Sequence, residues 1–155
     1  MIESIPYDEL VIGQSAEYSK TVSERDIVLF AVISGDANPV HLDAEYARTT
    51  IFGERIAHGM FTGSLVSAAL AMTLPGPGSI YLAQSLKFRR PVKVNDTITV
   101  RLEVTEKRDA KKIVVLDCLV TNQHGDKVAT GTAEVIAPAE KIRLETPALP
   151  DVQLG

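Results

Sequence analysis

A carboxylate and an imidazole lie close together in the segment SGDANPVHLD, residues 34 to 43. Asp36 and His41 are separated by four residues that include Asn38 and Pro39. Pro39 disfavours helical backbone at Asn38 and extends the chain there. A bent loop of this kind can bring an acid and an imidazole to face one water, as a general acid/base pair. In the structural alternative, which spacing alone slightly favours, Asp36 forms an Asx turn and His41 packs at a helix start.

The segment AHGM, residues 57 to 60, contains a second chemical feature. It places Gly59 at the predicted start of a long apolar helix, where the first backbone N–H groups have no partners inside the helix. Those N–H groups and the helix dipole favour a developing negative charge, and a glycine lets a ligand carbonyl approach them. The alternative is that this helix start only needs a small residue. His58 is expected to have a structural role.

The remaining polar residues have simpler interpretations. The three histidines stand in unrelated sequence contexts, with His124 in a predicted hairpin turn, so no metal site is predicted. Hydroxyls on a helix, such as those of Ser64 and Ser67, usually bond back to helix carbonyls. No Gly-rich phosphate loop is present and no cofactor is expected. Cys118 is expected to be a small buried hydrophobe.

A basic group stands in the segment KFRRPVK, residues 87 to 93. Its members are Lys87, Arg89, Arg90 and Lys93. Such a group is usually a solvated strand end, but it could also bind the phosphates of a ligand.

The composition limits the functions that these residues can serve. The chain has 155 residues, 45% hydrophobic and 23% charged, which fits one globular domain with a sizeable core. A net charge of −4 argues against a nucleic-acid binder. No signal peptide is recognised. The longest uncharged helix-like segment, residues 59 to 74, is shorter than the roughly 20 residues of a membrane span. A cytoplasmic protein is therefore expected.

Three helices are predicted to position the candidate residues. They span residues 23 to 35, 43 to 49 and 59 to 74. Ser23 can cap the first helix and Gly35 can end it. Its apolar side contains Ile27 and is widened by Ile33. The third helix is apolar nearly all round, so it is predicted to be covered on every side.

The second half of the chain has the alternation typical of strands. With the first strand included, the predicted strands span residues 15 to 22, 79 to 92, 96 to 107, 112 to 122 and 127 to 137. The alternation is cleanest in DTITVRLEVTEK, where every second residue from Ile98 to Val104 is apolar. Short connections favour antiparallel hairpins. The predicted fold class is α+β, with one long helix lying across a curved antiparallel sheet of about five strands.

The segment FAVISGDANPVHLDAEYA closely resembles the hydratase 2 motif of the MaoC-like family, which includes the (R)-specific enoyl-CoA hydratases. AHGMFTGSLVSAAL and GSIYLAQSLKFRRPVKVNDTI resemble the stretches that follow it. The resemblance covers roughly residues 14 to 137, and the chain in particular resembles the short, single-domain hydratases that feed polyester synthesis. It implies a hot-dog fold, in which the sheet wraps the long helix, and a homodimer whose sheets join edge to edge.

The resemblance also implies roles for single residues. Asp36 and His41 match the family's catalytic pair, and Gly59 matches the glycine whose N–H binds the thioester oxygen. Three further matches surround the pair: the loop asparagine Asn38, the polar helix residue Ser67, and Leu70, which lines the acyl pocket. The basic group of residues 87 to 93 becomes the candidate for binding the CoA phosphates.

These matches predict reversible hydration of trans-2-enoyl-CoA to (R)-3-hydroxyacyl-CoA, with Asp36 and His41 sharing one water. Two alternatives stay open, a hot-dog acyl-CoA thioesterase and a non-catalytic acyl-CoA-binding or dimerisation module of a larger protein. The GDANPVH loop argues against the thioesterase, and the presence of both Asp36 and His41 argues against the binding module.

The end of the chain differs in character from the rest. Residues 1 to 137 are predicted to form the hydratase domain. Residues 138 to 155 contain three prolines and no clear period, and are predicted to be an extended tail or a linker. This region resembles the segment that joins such a domain to a fused C-terminal phosphate acyltransferase domain in some two-domain proteins.

Overall fold

A computed structural model describes residues 1–155 of the chain. It contains a five-stranded antiparallel sheet packed around a long helix, and a two-stranded sheet formed by the chain ends. The strands are β1 (Ile2–Glu3), β2 (Ser15–Thr21), β3 (Ile80–Phe88), β4 (Thr97–Arg108), β5 (Ile113–Thr121), β6 (Lys127–Ile136) and β7 (Arg143–Leu144). The helices are α1 (Glu24–Ser34), α2 (Pro39–Leu42), α3 (Ala44–Arg48) and α4 (Gly59–Met72). The predicted α+β fold class is confirmed.

The five-stranded sheet has the order β2-β4-β5-β6-β3, and every neighbouring pair is antiparallel. All five predicted strands are present, although β3 stops at Phe88 instead of continuing to residue 92. Gly131 lets β6 approach β3 closely, because a Cβ atom there would lie 1.8 Å from the Ser85 carbonyl oxygen. The alternation predicted for β4 is confirmed by four residues that are at most 1% exposed: Ile98, Val100, Leu102 and Val104.

Helix α4 has one buried and one open side. The buried side contributes Phe61, Leu65, Val66, Ala69 and Leu70 to the main core. The open side carries Met60, Ser64, Ser67 and Ala71, all of them exposed. The prediction that this helix is covered on every side is therefore wrong for the single chain. The physical reason is that one copy of the sheet covers one side of the helix, and nothing in the chain covers the other.

Helix α1 begins and ends as predicted. Ser23 Oγ accepts a hydrogen bond from the Asp26 N–H at 3.1 Å, and the Asp26 carboxylate accepts one from the Ser23 N–H at 2.9 Å. Gly35 ends the helix in the left-handed conformation, with φ of 80°. Ile27 is fully buried, but Ile33 is 76% exposed, so the predicted widening of the apolar side is wrong. Six residues of helix turn Ile33 by about 240° from Ile27, to another side.

The chain ends lie against the domain. Strand β7 pairs with β1, where Ile2 faces Leu144 and Glu3 faces Arg143. Beyond β7 the backbone has no regular structure, and the Val152 carbonyl accepts a hydrogen bond from Arg25. The division at residue 138 stays a prediction. No helix has both the length and the apolar composition that crossing a bilayer requires.

Candidate active site

The loop after α1 holds Asp36 through local hydrogen bonds. Asp36 Oδ1 accepts a hydrogen bond from the Asn38 N–H at 3.1 Å, which is the Asx turn of the structural alternative. The Asn38 side chain in turn accepts from the Val40 N–H at 3.3 Å and caps α2. The other Asp36 oxygen, Oδ2, lies 3.9 Å from Nε2 of His41. The turn and the pairing with His41 are therefore compatible.

His41 is buried, and its orientation is fixed by one hydrogen bond. Its Nδ1 lies 2.7 Å from the Ile56 carbonyl oxygen. A carbonyl only accepts, so Nδ1 carries the proton and Nε2 of the neutral ring carries the lone pair. The 3.9 Å between Nε2 and the half-exposed Asp36 carboxylate is too long for a direct hydrogen bond. It suits two groups that contact one water from different sides.

A second buried histidine, His58, joins the pair. Its ring stacks on that of His41 with centroids 3.7 Å apart and planes inclined by 22°. Its Nε2–H donates to the backbone carbonyl of Asp36 at 3.0 Å, and its Nδ1 is buried without a partner. The expectation that the histidines stand in unrelated contexts is wrong for these two. A signal was present, because a histidine at the start of a buried helix needs a polar partner nearby.

The three side chains also invite a comparison with metal sites. Ligand atoms of Asp36, His41 and His58 lie within 4.8 Å of one another. However, His58 Nε2 is already bonded to a carbonyl, and the two imidazoles are stacked nearly parallel. Lone pairs in stacked ring planes do not converge on a tetrahedral centre. The geometry therefore fits an acid/base pair better, and the absence of a metal stays a prediction.

Gly59 is the first residue of α4, directly after His58. Its N–H belongs to the first turn and has no partner within the helix. A Cβ atom at Gly59 would meet only the Phe88 ring, at 3.4 Å, which is ordinary contact. The fold itself therefore does not require a glycine here, and the binding of a ligand carbonyl by the Gly59 N–H stays a prediction.

A cleft of about 350 Å³ opens beside Gly59. Arg89 and Arg90 line it together with His58, Thr62 and the Phe88 ring. The other two members of the basic group lie elsewhere. Lys93 forms an ion pair with Glu54 at 3.5 Å, and Lys87 is exposed on β3. The structure thus brings two of the four predicted basic residues next to Gly59.

The other two predicted site residues of α4, Ser67 and Leu70, lie on different sides of the helix. Ser67 lines a groove of about 530 Å³ between α4 and β3, which also contains Ser64 and Tyr81. The Ser64 hydroxyl donates to the Phe61 carbonyl at 2.6 Å, as predicted for helix hydroxyls. Leu70 is 2% exposed and belongs to the main core instead of this groove. Its role in the acyl pocket stays a prediction.

Comparison with known proteins supports the resemblance over nearly the whole chain. The family model described as MaoC like domain matches residues 10–125. The (R)-specific enoyl-CoA hydratase of Rhodospirillum rubrum is 47% identical over 133 residues, which are 86% of this chain and 92% of that protein.

Two solved structures are also similar. The R-hydratase PhaJ1 of Pseudomonas aeruginosa, in the unliganded form, has 55% identity and a TM-score of 0.95, with 99% of each chain covered. The (R)-hydratase of Aeromonas caviae, described as involved in PHA biosynthesis, has 45% identity and a TM-score of 0.81, covering 83% of this chain and 98% of its own.

Proposed function

We propose that the chain, which belongs to the MaoC-like domain family, is an (R)-specific enoyl-CoA hydratase that adds water reversibly to trans-2-enoyl-CoA. The sequence identity of 45–55% between this chain and three hydratases supports the reaction class. The observation that supports the proposal at the level of single residues is the Asp36–His41 pair, in which His41 Nε2 and the Asp36 carboxylate are 3.9 Å apart. Both groups accept hydrogen bonds, so together they can orient the two protons of one water.

The hydration step needs a base, a proton donor and a site for negative charge. Water gives one proton to the Asp36–His41 pair while its oxygen bonds to C3 of the enoyl thioester. The C2–C3 π electrons move toward the thioester oxygen, where the Gly59 N–H and the start of α4 stabilise the charge. The pair then returns the proton to C2 from the same side, so that no proton is gained or lost overall.

The surroundings of the pair suggest how the rest of the substrate lies. We assign Asn38 to shaping the loop, because it bonds to Asp36 and caps α2. The basic group Lys87, Arg89, Arg90 and Lys93 is assigned to the CoA phosphates, with Arg89 and Arg90 nearest to Gly59. Ser67 is assigned to the substrate groove along α4. The cytoplasmic location stays a prediction.

A hydration assay on crotonyl-CoA tests the proposed function. Absorbance of the enoyl thioester should fall, and chiral analysis should identify the (R)-3-hydroxybutyryl thioester as the product. Release of free CoA thiol would instead indicate the thioesterase. Tight binding of crotonyl-CoA without turnover would indicate the non-catalytic module.

Leu70→Ala should raise activity on longer enoyl-CoAs relative to crotonyl-CoA. Leu70 is 2% exposed, so truncation leaves a cavity beside α4 and lowers the free energy of unfolding by about 2–5 kcal/mol. Leu74→Ala is the matched control, because Leu74 is fully buried just beyond the end of α4. The control should lose stability and keep the parent's ratio of rates on long and short substrates. An unchanged ratio for Leu70→Ala would place the acyl pocket elsewhere.

We expect a homodimer formed through β3. This strand is an edge of the sheet, and unpaired backbone groups along an edge invite pairing with another copy. Its apolar residues are poorly covered, with Ile80 56%, Leu82 48% and Phe88 48% exposed. The groove of about 530 Å³ beside it exposes the open side of α4 as well. A second copy of β3 would continue the sheet, cover the exposed apolar residues of this strand, and form a further wall of the groove that Ser67 lines.

Light scattering at micromolar concentration should therefore give the mass of a dimer. Leu82→Lys should shift the protein toward monomer, because it places a charge in the proposed interface. Val11→Lys is the control, since Val11 is 63% exposed but lies outside β3 and the groove. A stable monomer of the parent chain would refute the dimer.

A further inference from the structure

Arg55 connects the two elements that carry the Asp36–His41 pair. Its Nε donates a hydrogen bond to the His41 carbonyl oxygen at 2.7 Å. Its Nη1 lies 2.5 Å from Glu24 Oε1, at the first residue of α1. The far end of α1 leads directly to Asp36. The Arg55 side chain is only 13% exposed, which partly shields its bond to the His41 carbonyl, whereas the Glu24 side chain is 68% exposed, so the contact with Glu24 lies at the surface.

The segment around Arg55 holds His41 from several directions. Besides the Arg55 contact, the Ile56 N–H donates to the Val40 carbonyl at 3.3 Å. The Ile56 carbonyl accepts the His41 Nδ1–H at 2.7 Å. Arg55 and Ile56 therefore fix both the backbone and the ring of His41. The contact with Glu24 is the additional link that relates this segment to α1.

We propose that Arg55 is a positioning residue for the hydration reaction and that it sets the separation of His41 Nε2 from the Asp36 carboxylate. This inference rests on the proposed function. The planar guanidinium presents its donors in a rigid fork, so it can hold the His41 carbonyl and the Glu24 carboxylate at a fixed distance. Misplacing a catalytic group by about 1 Å can cost about 10²-fold in rate. Arg55 itself contacts neither ring nitrogen of His41, and acts through the peptide that carries it.

Three single variants of Arg55 and Glu24 separate positioning from general effects of charge. Arg55→Gln should lower kcat for crotonyl-CoA by about 10- to 100-fold, because it removes the fork and lets His41 move. KM should change less than about threefold, because Arg55 is not part of the proposed CoA site. Arg55→Lys keeps the charge but not the fork and should fall between parent and Arg55→Gln. Glu24→Gln keeps the donation to His41 and should cost only about threefold.

Arg101→Gln is the matched surface control. Arg101 pairs with Glu103 at 3.3 Å on β4, so its loss removes an exposed ion pair without touching the loop. Its kcat should equal that of the parent. All rates should be measured well below the melting temperature of each variant.

The decisive measurement repeats Arg55→Gln in a His41→Gln background. If Arg55 acts by positioning His41, the second substitution should lower kcat by less than about threefold, because there is no imidazole left to position. A role only in stability would give the same fold-loss in both backgrounds and would overturn the inference. A folded Arg55→Gln variant with the parent's kcat would also overturn the inference. If Arg55→Gln does not fold, Arg55→Lys supplies the same comparison. If the parent chain fails to hydrate crotonyl-CoA, the proposed function itself is wrong. That failure is seen before any variant is made, so it is distinct from a failure of the inference about Arg55.

Discussion

Asp36→Asn and His41→Gln should each lower kcat for crotonyl-CoA hydration by about 10²–10⁴, the usual effect of losing general acid/base catalysis. Asparagine keeps an oxygen that can accept from the Asn38 N–H, so the Asx turn survives while the second carboxylate oxygen and the charge are lost. Glutamine at position 41 removes the ring whose Nε2 faces Asp36. KM should change little, because neither side chain is assigned to CoA binding.

The double variant tests whether the two side chains share one water. It should lose much less than the product of the two single losses, because removing either partner already disables the shared step. Melting temperatures measured beside the rates exclude unfolding as the cause. If a folded single variant hydrates crotonyl-CoA at close to the parent rate, the loop is only a turn, and Asp36 and His41 do not act as the proposed pair.

Gly59→Pro should lower kcat by about 10²–10³, the effect of removing one donor to a developing oxyanion. Proline has no N–H, and it is well tolerated at the first position of a helix, which Gly59 occupies. The backbone of His58 already has φ of −60° and ψ of 143°, the extended conformation that a following proline requires. The substitution therefore removes the proposed donor while leaving α4 able to form.

Gly59→Ala is the control for bulk at this position. It keeps the N–H, and its Cβ would meet only the half-exposed Phe88 ring at 3.4 Å. We expect it to lose less activity than Gly59→Pro, and the difference measures the N–H donor apart from steric hindrance. Circular dichroism should show intact helix in both variants. Equal kcat values for the folded proline and alanine variants would mean that the Gly59 N–H does not bind the thioester oxygen.

Local patterns were enough to predict most of the secondary structure. The alternation of β4 predicts its buried side because successive strand residues face opposite sides of a sheet. The capping residue Ser23 and the terminal Gly35 predict α1 because the groups that satisfy helix ends come from nearby residues. The pairing of Asp36 with His41 was only partly accessible, because spacing alone slightly favours the Asx turn and the structure contains both the turn and the pairing.

The tertiary structure alone decided which distant residues complete the site. His58 reaches Asp36 across 22 residues, and Ile56 reaches His41 across 15, because the chain returns from α3 to the start of α4. The period of a sequence shows which side of an element is apolar, but not what packs against it. For this reason the open side of α4 was not predictable from its residues. The link from Arg55 to both α1 and His41 likewise depends on contacts that exist only once the helices are packed.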